Sequence, residues 1–465
     1  MLRDVREQRE RSEGPSAMEC PKLRSQQSHQ DHGAMTEQDK HEETSTYDTP
    51  SRPASVEPPV ETSAEKLTTA TSEFNTRSVL ALIGAFALMF CSVGFVNAFG
   101  VFQEYYAITI LSDKSPSDIS WLGSFNVFCM FGMTFVAGFL TDKYGPTPLV
   151  CGGSLVTLFA LFMTSICKEY WQLFLAQGLL LGIGIAFIVL PGFTTPAQHF
   201  SKSRGMALGI VVSGSSLGGV IWPIALHNLL TEVGFGWAVR IVAFIQLPLL
   251  VIGCVFTRPP VGLIGHAKGK ADFSCMKNPI LILLSSGLFL LYLGLFTPFF
   301  FVTSWTESLG LDSDFAFYTI SIINGASLFG RILPGILADR VGPYNIAILA
   351  AAISGLVCTC LTKATTVAGI SVLSLAYGFS SGAIISLQGV CASKLVPPSQ
   401  FGVAMGSVMT FLSVAGLVGS PINGQILNVY GYLGISLFSG LAMIIGALII
   451  VAARLKLEPK LLAKA

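Results

Sequence analysis

A nine-residue run occurs twice in this chain, and the repeat constrains any fold it can adopt. GFLTDKYGP supplies Gly138, Asp142, Lys143, Gly145 and Pro146; GILADRVGP supplies Gly335, Asp339, Arg340, Gly342 and Pro343. The offset is 197 residues, and it persists downstream, where Gly192, Gly205, Ala207 and Gly209 match Gly389, Gly402, Ala404 and Gly406. Chance pairs many glycines in a Gly-rich chain, so the Asp–basic–x–Gly–Pro run carries most of the weight. Both copies lie between long apolar runs. Duplication inside a membrane is one way to place a solute site between two mobile halves.

The apolar runs define the rest. Twelve stretches have the length that spans a bilayer, roughly 20 residues each. They fall at about 78–102, 119–140, 148–166, 171–195, 207–227, 238–256, 279–303, 315–337, 346–361, 367–387, 402–426 and 433–453. Charged residues make up 12% of the chain, half of what a soluble domain carries, and the mean hydropathy is +0.65. The expected fold is an all-α membrane protein of twelve transmembrane helices in two six-helix halves, 78–256 and 279–453, joined by a cytoplasmic linker, 257–278. The bilayer is its surroundings, a monomer is expected, and nothing points to nucleic acid. The ten cysteines sit mostly inside spans, among them Cys91, Cys129, Cys151, Cys254 and Cys358, with no metal-ligand spacing. No metal or cofactor is expected. Neither a zinc HExxH helix nor a catalytic Ser/His/Asp or Asp-pair pattern is present, so an enzyme is not expected.

The net charge of +1 conceals two opposite parts. Residues 1–76 hold nine Lys/Arg and fifteen Asp/Glu; residues 77–465 hold nineteen and twelve. The first part is polar and without apolar periodicity, so 1–77 reads as a disordered cytoplasmic tail. With no apolar run before Val79, the first span is expected to act as the insertion signal. Loop charges set the orientation. With the N-terminus inside, thirteen Lys/Arg lie in the inner segments after Arg77 and only Lys114, Lys168, Arg240 and Lys363 in outer ones. Both termini, including the short tail 454–465, are therefore expected in the cytoplasm.

Twelve spans, the six-plus-six division and Gly-x-x-x-Asp-[Lys/Arg]-x-Gly after spans 2 and 8 resemble the major facilitator superfamily. Four runs are similar to its fungal monocarboxylate-porter-like branch, which includes riboflavin and metabolite-cluster transporters. They are GFVNAFGVFQEYY, HFSKSRGMALGIVVSGSSLGG, YLGLFTPFF and INGASLFGRILPGILADRVGP. The resemblance implies a secondary transporter of a small organic solute, working by alternating access around a site between spans 1, 4, 7, 8 and 10. It also implies that the Asp-containing loops latch the halves. Three departures stand out. SEFNTRSVLA replaces the acidic–Gly–Gly and Trp motif before span 1. A span-1 lysine of proton-coupled carboxylate members falls at Asn97, and a span-8 Asp at Ser327. Their arginine survives as Arg331.

Arg331 lies eight residues before Asp339, about 12 Å inward at 1.5 Å per residue. A membrane-buried Arg needs a partner or an aqueous cavity, and its planar fork suits a carboxylate. Anion binding, a structural or gating pair and snorkelling are the three readings. Other polar side chains in spans are candidate solute contacts: Asn97, Asn126 and Gln177 in the first half, Tyr292, Asn324 and Gln388 in the second. The competing use of such amides is hydrogen bonding between helices. Gly100 and Pro298 stand at similar depths in spans 1 and 7, where broken helices can expose backbone groups. No Asp or Glu lies near the middle of a span, so protons are a candidate coupling ion without an obvious carrier. The leading expectation is a carrier of a monocarboxylate-like anion in the plasma membrane. The alternatives are a facilitator or exporter of riboflavin or a secondary metabolite, and a nutrient sensor on the same fold.

Overall fold

Among the described residues, nine apolar helices are long enough to cross a membrane, and the twelve expected spans are all present in them and one shorter neighbour. The computed structural model describes residues 73–260 and 274–460; most of the tail 1–77, the linker residues 261–273 and residues 461–465 lie outside them. The first four helices are α1 (Thr76–Ile110), α2 (Asp118–Tyr144), α3 (Pro146–Thr164) and α4 (Tyr170–His199). Two helices joined at Gly234 follow, α5 (204–233) and α6 (235–256). The second half comprises α7 (Pro279–Ser308), α8 (Ser313–Val341), α9 (Pro343–Thr359) and α10 (Val367–Ser393). Two helices joined at Gly431 complete it, α11 (401–430) and α12 (432–457). Twelve helices that alternate in direction bring Thr76 and Leu457 to one face of the bundle, the terminal face, together with the α2–α3, α4–α5, α8–α9 and α10–α11 loops.

The duplication is visible in the backbone. Gly145 and Gly342 have φ of 85° and 110°, and Gly234 and Gly431 have φ of 73° and 66°. Each pair is 197 residues apart. Side chains other than glycine strain at such φ, so these four positions end one helix and let the next start antiparallel. Pro146 and Pro343 then open α3 and α9, where a missing N–H costs nothing. The helices extend beyond the apolar runs that announce them, because polar caps are added at their ends. At the start of α1, Asn75 Oδ1 accepts from Ser78 N at 2.9 Å while Ser78 Oγ accepts from Asn75 N at 3.0 Å.

Three helices, α1, α2 and α7, are interrupted within their length, α2 at Met133 with φ −77° and ψ −7°. In α1 the chain departs from helix at Ser92, with φ −95° and ψ −92°, and again at 97–98. In α7 it breaks at Phe296, just before Pro298. The carbonyls freed in α7 are taken up by its own half: Tyr377 Oη donates to Leu295 O at 2.7 Å, and Asn423 Nδ2 to Leu293 O at 3.4 Å. Small residues bring helices close, as is usual where lipid supplies no hydrophobic drive. A methyl on Gly153 would lie 2.8 Å from Gly184 O, and one on Gly355 3.0 Å from Gly440 O. The exposed tryptophans Trp121, Trp171 and Trp237 stand at helix ends on the face opposite the termini, where amphipathic rings suit a membrane interface.

Candidate functional site

The halves meet along two seams related by the internal repeat. In one, α2 lies against α11. Asp142 accepts from Gly402 N at 3.1 Å and from Val403 N at 2.8 Å. In the other, α8 lies against α5, and Asp339 accepts from Gly205 N at 2.7 Å and Met206 N at 2.8 Å. Each carboxylate thus closes the N-terminus of a helix from the opposite half, where unpaired N–H groups and the helix dipole favour a negative charge. The approach depends on Gly138 against Gly402 and Gly335 against Gly205, whose backbones leave no room for a methyl group. The basic residues of the loops point elsewhere. Lys143 lies over the rings of Phe139 and Tyr144, 5.6 and 5.0 Å from their centroids, and Arg340 is exposed.

Deeper in the α5–α8 seam sits Arg331, buried at 2% exposure. Its Nη1 donates to Val212 O at 2.7 Å and to Ser215 Oγ, both on α5, while its Nε has no partner. The position 197 residues earlier is Thr134, which plays the matching part in the other seam by donating to Gly406 O at 3.2 Å. Arg331 is therefore a cross-half contact whose buried Nε is left without a partner. That offset was the signal by which sequence could have linked Thr134 to Arg331; Ser215 carried none.

Four of the other candidate residues gather around this point. Asn97 on α1 donates to Ser215 O at 3.4 Å. Asn324, one helical face up from Arg331 on α8, donates to Ile320 O at 3.2 Å and leaves its buried Oδ1 without a partner. Both amides crowd Gly219 of α5: a methyl there would sit 2.7 Å from Asn324 Oδ1 and 3.0 Å from Asn97 Nδ2. Tyr292 on α7 donates to Gln388 Oε1 on α10 at 3.1 Å, and its ring meets Phe131 of α2 edge-on at 6.0 Å. Tyr292 is also within electrostatic reach of Arg331. Asn126 and Gln177 are placed apart. Asn126 Nδ2 donates to Gln177 O at 2.6 Å, and Tyr106 Oη to Gln177 Oε1 at 2.7 Å, a bridge between helices of the first half. Among the described residues, no cluster of three or more His, Cys, Asp or Glu side chains is placed to hold a metal ion.

Two halves meeting in repeated seams around a polar centre have a counterpart among known proteins: a profile of the Major Facilitator Superfamily matches residues 81–362 and 284–465. The chain belongs to this superfamily. Its membership and fold indicate a membrane transporter, not an enzyme. Among curated relatives, the agnestins efflux protein AgnL12 of Paecilomyces divaricatus is 61% identical over 420 residues, 89% of this chain and 97% of that protein. The aspyridones efflux protein apdF of Emericella nidulans is 39% identical, over 82% of this chain and 78% of its own length. The crystal structure of the human organic anion transporter MFSD10 (TETRAN) superposes with a TM-score of 0.63 over 81% of this chain and all of that one. At 14% identity that is a likeness of fold. For this superfamily member, relatives named for efflux favour the metabolite-exporter expectation over the monocarboxylate one.

Proposed function

We propose that this chain is an exporter, a carrier that takes up a fungal secondary metabolite on the cytoplasmic side and releases it outside by alternating access. The observation that carries the reading is the 61% identity, across 97% of its length, to a protein named for efflux of agnestins. In this reading the terminal face is cytoplasmic, in keeping with the surplus of loop Lys and Arg there. Asp142 and Asp339 act as latches that close both seams at the terminal face during the outward-facing half of the cycle. The solute lies between α1, α7, α8 and α10, against Asn97, Tyr292, Asn324, Arg331 and Gln388, and the rings of Phe131 and Phe296 supply apolar contact. The protein works as a monomer in the plasma membrane.

A second reading, uptake of a monocarboxylate-like anion, is favoured by one observation, the unpartnered Nε of Arg331. A carboxylate entering the seam would find a buried donor waiting. Deleting the chain in the organism that carries it, and comparing organic compounds in cells and medium by mass spectrometry, separates the two. Export predicts a compound that builds up in cells and falls in the medium, restored by the wild-type chain and not by Asp142→Asn. Unchanged profiles, together with lactate uptake that disappears in Arg331→Ala at normal surface level, overturn it in favour of the anion carrier.

A further inference from the structure

The segment before α1 reaches the same helix end that Asp339 holds. Glu73 Oε1 accepts from Ser201 N at 2.9 Å and Lys202 N at 2.7 Å, and its Oε2 accepts from Ser203 N at 3.2 Å. These are the three residues leading into α5. The Phe74 ring meets Phe200 edge-on with centroids 5.4 Å apart. From there the contacts continue across the boundary between the halves. Arg204 Nε donates to Phe200 O at 3.1 Å, and its Nη1 donates to Ser393 Oγ at 3.1 Å and Ser393 O at 3.5 Å, at the end of α10 in the second half. Arg204 also feels the charges of both Glu73 and Asp339. In the other seam the position matching Arg204 is Phe401, which is buried and carries no charge to reach across.

We propose that Glu73 and Phe74 form a strap that sets the balance of the gate at the terminal face, fixing the α4–α5 loop so that Arg204 holds the second half. This rests on the alternating-access reading, though the test needs no solute. The strap orders residues 200–203. The ordered loop places the Phe200 carbonyl where it steers the guanidinium onto Ser393, and the seam held by Asp339 closes on a loop already in place. With the strap undocked, the loop loses three charge-assisted hydrogen bonds and Arg204 loses the carbonyl that orients it. The seam then opens more often. Because the halves move as bodies, the partner seam, which the strap does not touch, opens with it.

Hydrogen exchange by mass spectrometry on the full chain in lipid nanodiscs tests this with Glu73→Gln, Phe74→Ala and, as a conservative rescue, Glu73→Asp. The expected result is faster exchange at 201–203, with a rise of roughly fivefold at 205–206 and also at 402–403, on the scale of a lost helix-end charge; Glu73→Asp restores part of it. Faster exchange confined to 201–203 would make the strap a local cap and overturn the proposal. No change in either variant overturns it too. Exchange raised throughout every helix would mark a folding defect, and Glu73→Asp, which keeps the charge, then decides: protection at 402–403 unlike that of wild type in a folded Glu73→Asp chain counts against the strap only if 201–203 stay protected.

Discussion

At Gly205 and Gly402 the two halves approach too closely to admit a methyl group. A Cβ on Gly402 would fall on Asp142 Oδ1 and 2.8 Å from Gly138 O; one on Gly205 would lie 2.8 Å from Asp339 Oδ1 and collide with Gly335 O. Backbone and a hydrogen-bonded carboxylate cannot step aside, so the added atom is accommodated by parting the seam. Overpacking of this kind costs about 1–3 kcal/mol. Gly205→Ala and Gly402→Ala are each expected to expose the seam roughly tenfold more. The check is hydrogen exchange at the helix-end amides 206 and 403, with rates no faster than in the Gly-intact chain counting against tight seams. A second residue gives a pH prediction. Burial alone would raise the Glu73 carboxyl, but hydrogen bonds from Lys202, Ser201 and Ser203 outweigh it and hold the group below its ordinary 4.5. A carboxyl lowered in the folded state stabilises above its ordinary value and loses that contribution as pH falls through the lowered one. Protection of 201–203, corrected for intrinsic exchange, is therefore expected to be flat from pH 8 to pH 5. Arg204 stays charged throughout that window. His199, two residues before Ser201, is held below its ordinary 6.5 by burial, so a loss near pH 6 that persists in a His199→Gln chain would contradict the assignment.

At the scale of helices, the repeat makes two seams from one plan and then fits them differently. The α2–α11 seam has Asp142, Thr134 and Thr410, whose Oγ1 donates to Gly132 O at 3.0 Å. The α5–α8 seam has Asp339 and, besides it, Arg331 and Arg204 reaching across the halves. Removing one carboxylate forfeits a charged helix cap, worth about 0.5–2 kcal/mol. The two losses are not expected to be equal. Asp142→Asn removes the main polar tie of its seam, whereas Asp339→Asn leaves two arginines in place. Hydrogen exchange at the helix-end amides 206 and 403 is expected to rise several-fold more in Asp142→Asn than in Asp339→Asn, and most in the double variant. Equal effects would mean that the arginines contribute nothing to closure. The asymmetry was only half legible in sequence. Aligning the halves by 197 residues sets Arg331 opposite Thr134 and Arg204 opposite Phe401 on paper, yet the partners on α5 and α10 are a serine hydroxyl and main-chain carbonyls, which leave no mark in residue type.

For the molecule as a whole, hydropathy and the repeated Asp–basic–x–Gly–Pro run sufficed for twelve helices in two halves, because a bilayer admits few ways to satisfy so much apolar backbone. What escaped was the mode of turning at Gly234 and Gly431, two glycines among 47 whose positive φ no local pattern announces. The polar centre was legible as a set of candidates and not as a place. Asn126 and Asn324 look alike in sequence, amides in apolar helices, but Asn126 is spent on a bridge with Gln177 while Asn324 faces the junction of α1, α5 and α8. The partner that decides lies tens of residues away. The distribution of charge then bears on energetics. Among the described residues, every Asp and Glu lies in a loop or toward a helix end, and the interior carries Arg331 with no carboxylate bonded to it. A carrier that exchanges protons for solute needs a group that titrates along the route, and an arginine does not titrate in the physiological range. Downhill export is accordingly expected: a protonophore should leave the steady-state ratio of exported compound between medium and cells unchanged, and that ratio should approach one. Accumulation outside against a gradient, abolished by the protonophore, would instead assign proton transfer to Asp142 or Asp339, since these carboxylates lie on the boundary that opens and closes; Asp142→Asn and Asp339→Asn would then convert the carrier to one that only equilibrates.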